Sequence, residues 1–471
     1  MSTIITLCAL KILFMPSLIK NLADFSGQGV KDNSGGHAAS VYKKKPKEKQ
    51  KEGSQRDKKS WFLKEAYSPT EPLELEVIAG ELYRFWIGNT QPKTRLVSDK
   101  SRFIASEGVP GFHTFQSIMA EGGEPKDYKT LARILVCSLV LAEIDLKSDN
   151  IGNNSNGCAV KIDHDSSLWP IVIKLMSIQN DINKIEFTFE DLDKILYPPN
   201  YKVSAWAGGL SKEIRDRLTA SEAFQTEVYA QVLKLLVSPP ELIAMIQDLN
   251  APADLQLKQE ISEFIQGRLS LLKKEALKSR GFRQFVSSLE VSEHKQFLCE
   301  ELSEFLSENR AYVPTFNIEQ SITDSLQEIR TSVDDFNKIL SLKERLMLNP
   351  LNAEHLKYWQ SKTTFIKGPH GILLGGAKVT LEGETYSIPT KIAQIMKLNS
   401  NRFSYTEYKD EIDKIRKPLP SSGMYSFFEE MRDEITQDKT TRLFYKIKDI
   451  EDLNLKEFDG NPNNSLTSPS K

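Results

Sequence analysis

The stretch Leu141–Asn153, LAEIDLKSDNIGN, constrains the fold of this chain more than any other. It follows an apolar run, Leu131–Leu141, that reads as a buried helix. It precedes a glycine- and asparagine-rich turn, GNNSNG, and then GCAVKIDHD, which reads as a buried strand ending in Asp163. Three acids, one lysine and two asparagines thus fall in one stretch between two core elements. Asp145 and Asn150 stand in a D-x-x-x-x-N spacing, which is common in solvated loops when it occurs alone. A strand ending in an acid just beyond a glycine turn makes the combination much rarer.

Carboxylate and amide oxygens are hard ligands of the kind magnesium selects. Phosphoryl transfer from ATP needs few other parts: a glycine turn near the phosphates, a lysine oriented by an acid, two metal ligands and a carboxylate that positions the attacking hydroxyl. Asp145 would accept or orient the substrate hydroxyl, and Lys147 would neutralise charge on the moving phosphoryl group. Asn150 and Asp163 would ligate magnesium. Upstream, Lys64 closes the strand Trp61-Phe62-Leu63, and Glu76 on the following helix would pair with it, with Glu81 as the rival. Gly35 and Gly36 in SGGHAASVY allow close backbone approach to a phosphate, although no G-x-G-x-x-G is present. Each residue also has a plain structural reading: a solvated lysine, a hairpin glycine, a strand that happens to end in an acid.

The chain has 471 residues, enough for two or three domains. Residues 1–19 read as an N-terminal extension, with Met15 as a second candidate start; Lys11 and Pro16 interrupt what otherwise looks faintly like a signal peptide. Residues 20–110 mix strands with one helix, PLELEVIAGELYRFWIG, whose Leu75, Ile78, Ala79, Leu82 and Phe85 form a buried stripe. Within them, Lys43–Lys59 is a polar, basic insert read as a solvated loop. Residues 111–250 are mixed and residues 251–350 helical. In that helical region Leu257, Ile261, Phe264, Ile265 and Leu272 make one face, read as core rather than as a partner surface. Residues 351–458 read as a small α/β region with a hairpin at Glu382-Gly383, and 459–471 read as a disordered tail.

Four cysteines without a C-x-x-C pair argue against a zinc site or a disulfide framework. With 62 basic and 64 acidic side chains, net charge gives no sign of nucleic-acid binding. No apolar run is long enough to span a bilayer.

At these residues the chain resembles the protein-kinase-like superfamily. IDLKSDNIG is similar to the R-D-L-K-P-E-N loop of Ser/Thr protein kinases and to the D-R-H-S-D-N-I loop of phosphoinositide kinases, and KIDHD resembles the H-I-D-F-G of the latter. Glu143 and Ile144 stand where protein kinases carry His-Arg, and Leu146 and Lys147 where lipid kinases carry Arg-His. Asp163-His164-Asp165 replaces D-F-G and lacks its glycine. Together with SGGHAASVYK, FLKEA and EVIAGELYRFWIG, these motifs resemble the divergent effector kinases of Legionella-type bacteria over roughly residues 25–240.

The resemblance implies an α+β, two-lobed protein-kinase-like fold with a small β-rich N-lobe, a helical C-lobe and a mostly helical C-terminal extension. It implies an ATP- and magnesium-dependent phosphotransferase, delivered to the host cytoplasm or a host membrane by type IV secretion. The substrate would be a host protein or a phosphoinositide. Inositol hexakisphosphate activates some such enzymes, so the basic segment Lys43–Lys59 is a candidate site for an inositol polyphosphate or an anionic membrane. A pseudokinase scaffold that binds nucleotide or a host partner without turnover is the alternative, and transfer of AMP is a third reading.

Overall fold

The structure, a computed structural model, describes residues 20–21, 25–32, 39–44, 60–66, 72–98, 103–177, 185–203, 206–250, 255–309, 311–345, 353, 356–357, 360, 376–381, 383–398 and 405–416. The extension 1–19, the segment with Gly35 and Gly36, the basic segment from residue 45 to 59 and the tail 459–471 lie outside the described residues.

A six-stranded sheet comes first in the chain. Its strands are β1 (Lys20–Asn21), β2 (Phe25–Asp32), β3 (Ala39–Lys44), β4 (Ser60–Glu65), β5 (Thr94–Ser98) and β6 (Phe103–Glu107), lying in the order β1-β5-β6-β4-β3-β2. Neighbours are antiparallel except β1 and β5, which run parallel. Lys43 and Lys44, assigned from the sequence to the basic insert, belong instead to β3, where Lys43 pairs with Ser60 and Ser26.

The two-residue period of a strand decides where Lys64 goes. Trp61 and Leu63 turn into a small core with Phe25, Val97 and Ala105. Lys64 therefore turns to the opposite face. There its cross-strand partner Ile104 packs against Leu73 and Val77 of the helix Leu73–Ile87.

That helix starts after Pro72, carries Glu74 and Glu76 in its first turn and Arg84 in its last, and stops at Gly88. Its charges suit the helix dipole, and the φ of 129° at Gly88 suits a residue without Cβ. The expected stripe is buried, and so is nearly everything else: from Leu73 to Ile87 only Glu74 escapes burial. Arg84 is accommodated because Asn309, Glu308 and Asn89 accept its hydrogen bonds.

A second, three-stranded antiparallel sheet contains β7 (His113–Thr114), β8 (Ile151–Asn153) and β9 (Ala159–Lys161). The strand expected to run to Asp163 is shorter. Ile162 still donates from its N–H to the Asn150 carbonyl at 2.9 Å, but Asp163 adopts φ 58° and leaves the ladder. The preceding apolar helix spans Tyr128–Val140, opened by the Asp127 side chain accepting from the Thr130 N–H at 3.0 Å.

Helices Glu222–Val237, Pro240–Asn250, Leu255–Ala276, Arg280–Ser288 and Val291–Glu308 follow. The stripe of Leu255–Ala276 faces the core through Ile261, Ile265 and Leu272, with Leu257 and Phe264 half-buried at its margin. Buried Arg268 lies on the same side and donates to the Leu139, Val140 and Ile185 carbonyls. It thereby satisfies end groups of the helix Tyr128–Val140 that have no partner within that helix.

The chain divides into two compact units, residues 1–329 and 330–471. The division falls inside the helix Ile318–Arg345, and so within the segment read as the helical region 251–350. The second unit contains the expected hairpin, β10 (Gly376–Leu381) and β11 (Glu384–Pro389), with Gly383 at φ 81°. Helices Thr390–Leu398 and Tyr405–Arg416 follow among the described residues, with Leu342, Leu398, Tyr408, Ile412 and Ile415 in a shared core. Cys137, Cys158 and Cys299 are free thiols. Among the described residues no single helix is long and apolar enough to cross a membrane.

Candidate functional site

Lys64 reaches out from β4 and meets three carboxylates. Its Nζ lies 3.1 Å from Glu76 Oε2, 3.3 Å from Asp163 Oδ1 and 2.8 Å from Asp165 Oδ2. Glu76 is placed by the first turn of the helix Leu73–Ile87 and is almost wholly buried, while Asp163 and Asp165 remain partly open. The rival, Glu81, lies one turn further along and is taken by another partner. It is fully buried, pairs with Arg95, and accepts from the Thr94 N–H at 3.3 Å and the Tyr312 hydroxyl at 3.1 Å.

The turn after the apolar helix forms the second half of the site. Lys147 Nζ lies 2.7 Å from Asp145 Oδ2. The Asn150 amide donates to the Asp145 carbonyl at 2.9 Å and to its carboxylate at 3.2 Å. Pairing of β8 with β9 brings Asn150 beside Ile162, one residue before Asp163. Of the residues singled out from the sequence, Lys64 contacts both Glu76 and Asp163, and Asp145 contacts both Lys147 and Asn150. Gly35 and Gly36 lie outside the described residues.

Charge ties the two halves together. Burial lowers the proton affinity of Lys64, but Glu76, Asp163 and Asp165 outweigh it and hold the ammonium above the usual lysine range. Burial pushes the Glu76 carboxyl up; Lys64 pulls it back, and Asp163 and Asp165 push it further up. Lys147 is held above its ordinary value chiefly by its hydrogen bond to Asp145, with Asp163 and Asp165 also contributing. The Asp163 and Asp165 carboxylates thus add to the hold of Asp145 on Lys147.

Three residues of this site were not singled out from the sequence. Asp165, where D-F-G has its glycine, makes the shortest of the three Lys64 contacts. Glu143 and Lys161 form an ion pair of 3.1 Å between side chains with no exposed surface. The acid at 165 is visible in the D-H-D triplet. Nothing local reveals that Glu143 and Lys161 meet.

His164, between the two aspartates, is 2% exposed and stacks on Tyr83 with ring centroids 4.8 Å apart. Burial and then Lys161 hold its imidazole well below the ordinary histidine range, so it is neutral and works as a flat anchor for the loop. Gly80 lets the helix approach this ring, since a Cβ there would stand 3.0 Å from His164 Cδ2 and 2.7 Å from Thr94 Oγ1.

A cation suits this donor set. Glu76, Asp163 and Asp165 each present a carboxylate oxygen within 4.8 Å of the others. Asp163 and Asp165 alone outnumber the Lys64 ammonium between them, so negative charge exceeds what Lys64 balances, and all the donors are hard oxygens.

No protein-family profile matches this sequence, and no curated protein matches it. Among solved structures, the chain is similar to the Helicobacter pylori proinflammatory kinase CtkA. Identity is 16%, the match covers 55% of this chain and 95% of that one, and the TM-score is 0.34. A kinase is thus a weak structural neighbour.

Proposed function

We propose that the protein is an ATP- and magnesium-dependent phosphotransferase. The observation that carries this reading is the contact of Lys64 with both Glu76 and Asp163, beside a turn in which Asp145, Lys147 and Asn150 are joined. Lys64, held by Glu76, would grip the phosphates of the donor. Asn150 and Asp163 would hold magnesium, with Asp165 as a further oxygen donor. Magnesium, when bound, would neutralise charge on the triphosphate. Asp145 would orient the acceptor hydroxyl and take its proton as the oxygen bonds to the γ-phosphorus and the bond to ADP breaks. Lys147 would balance charge on the transferred group. In this reading the six-stranded sheet and the helix Leu73–Ile87 act as the small lobe of a two-lobed, kinase-like enzyme.

The acceptor and setting follow from the family resemblance: a host protein or a phosphoinositide, met after type IV secretion into a host cell. The segment 43–59 would then take inositol hexakisphosphate or an anionic membrane surface. Purified protein incubated with γ-labelled ATP, magnesium, host extract and phosphoinositide vesicles tests this reading. Label should appear on protein or on lipid, and addition of inositol hexakisphosphate should raise the rate. Mass spectrometry of the product separates an added phosphate from an added nucleotide.

A second reading has one specific support. Asp165 engages Lys64 at 2.8 Å, in the place of a glycine that would leave the ammonium free. A pseudokinase that uses the fold as a scaffold would tolerate that contact. Nucleotide binding without transfer to any acceptor would favour it.

A further inference from the structure

We infer that the buried Glu143–Lys161 pair is a positioning device that sets Asp145 against Asp163; this rests on the phosphotransfer reading of the site. Glu143 lies two residues before Asp145, and Lys161 lies two residues before Asp163. Each end of the pair holds the backbone of one aspartate. Glu143 Oε1 accepts from the Asp145 N–H at 2.9 Å, and Lys161 Nζ donates to the Asp163 carbonyl at 2.5 Å. Between them, Glu143 Oε2 and Lys161 Nζ are 3.1 Å apart.

The surroundings leave the pair little freedom. Glu143 Oε2 also accepts from the Ser167 hydroxyl at 2.6 Å, and the Glu143 carbonyl accepts from the Tyr201 hydroxyl at 2.8 Å. Lys161 donates further to the Ile162 carbonyl at 3.3 Å and lies 5.5 Å from the centre of the Tyr83 ring. A buried charge pair is seldom a good source of stability, because desolvation offsets attraction. This one joins two loops that sequence separates. It also fixes the carbonyl of a residue whose φ of 58° is uncommon outside glycine. The turn that carries the acceptor-orienting aspartate and the loop that carries the metal-binding aspartate are thus spaced by one buried bond.

The test uses the full chain with the double substitution Glu143→Gln/Lys161→Met. It removes both charges together, so neither is left buried and unpaired, and cooperative unfolding should persist. Assayed well below its melting temperature, the double variant should lose at least about tenfold in kcat while KM for ATP stays within about threefold. A purely structural pair would lower the melting temperature and leave kcat alone. The crystal structure of the double variant gives an answer that needs no turnover. Asp163 should leave the left-handed region and its carboxylate should part from Lys64. A folded double variant with unchanged kcat, or one whose Asp145 and Asp163 remain in place, overturns the inference. Absence of transfer by the wild-type protein overturns the phosphotransfer reading instead, and the crystal structure still decides the role of the pair.

Discussion

Lys64 Nζ lies 3.3 Å from Asp163 Oδ1, although 99 positions separate these residues in the chain. Strand period points the lysine to the helix face of the sheet, and the left-handed turn at Asp163 brings the carboxylate to meet it. Contacts this distant in sequence persist only where packing holds both partners, and here the packing also supplies Glu76.

The choice of Glu76 over Glu81 is open to a double-mutant cycle. Lys64→Met and Glu76→Gln should be non-additive in kcat/KM for ATP, with a coupling of at least about 0.5 kcal/mol. Lys64→Met and Glu81→Gln should be additive, because Glu81 is bound to Arg95 and Tyr312. Coupling in the second cycle and none in the first would contradict the assignment.

Asp145→Asn keeps the shape of the side chain and removes its basicity. Steady-state kinetics should show kcat lowered by about 10²–10⁴, the usual scale for a positioned proton acceptor, with KM for ATP nearly unchanged. A large rise in KM with normal kcat would place Asp145 in nucleotide binding instead.

His164→Phe should stabilise the protein. Both ring nitrogens of His164 are buried without a hydrogen-bond partner among the described residues, and the ring already stacks on Tyr83. Removing the unsatisfied polar atoms in a flat socket should gain about 1 kcal/mol, seen as a melting temperature higher by a few degrees. A lower melting temperature would mean that the imidazole has a polar partner in solution.

Acid should loosen the clamp around Glu301. Its carboxylate lies 2.7 Å from Arg133 Nη1 and 2.5 Å from Lys234 Nζ. Burial alone would raise its pKa, but Lys234 and Arg133 overcome this and hold it below the usual glutamate value. A carboxyl depressed in the folded state stabilises above its unfolded pKa, and that stability is lost as pH falls through the folded one. Denaturant titrations should therefore show stability falling below about pH 4.5. Glu301→Gln should cost about 3 kcal/mol at neutral pH by leaving Lys234 buried and unpaired, and should make the acid limb shallower. An unchanged acid limb would contradict the clamp.

Much of the local structure was legible in the sequence because it is periodic. The helix over Leu73–Ile87, the strand carrying Lys64, the hairpin at Glu382-Gly383 and the core face of Leu255–Ala276 each follow from spacing. Less legible was whatever depends on charge buried by tertiary contact. Arg84, Arg268 and Lys161 carry the composition of solvated side chains, yet carbonyls and carboxylates from distant segments take them into the interior. For the same reason β9 ends at Lys161 rather than at Asp163: the lysine holds the carbonyls of Ile162 and Asp163, and the chain turns. Asp165 was visible as a residue, but its contact with Lys64 was not, since a resemblance to D-F-G expects no side chain there.

The most direct measurement compares transfer of γ-labelled phosphate by the wild-type protein, Lys64→Met, Asp145→Asn and Asp163→Asn, with and without magnesium, on protein and lipid acceptors. The wild type should show magnesium-dependent transfer, and each variant should lose at least about a hundredfold. Transfer that survives intact in Asp163→Asn, or no transfer by the wild type on any acceptor, would contradict it.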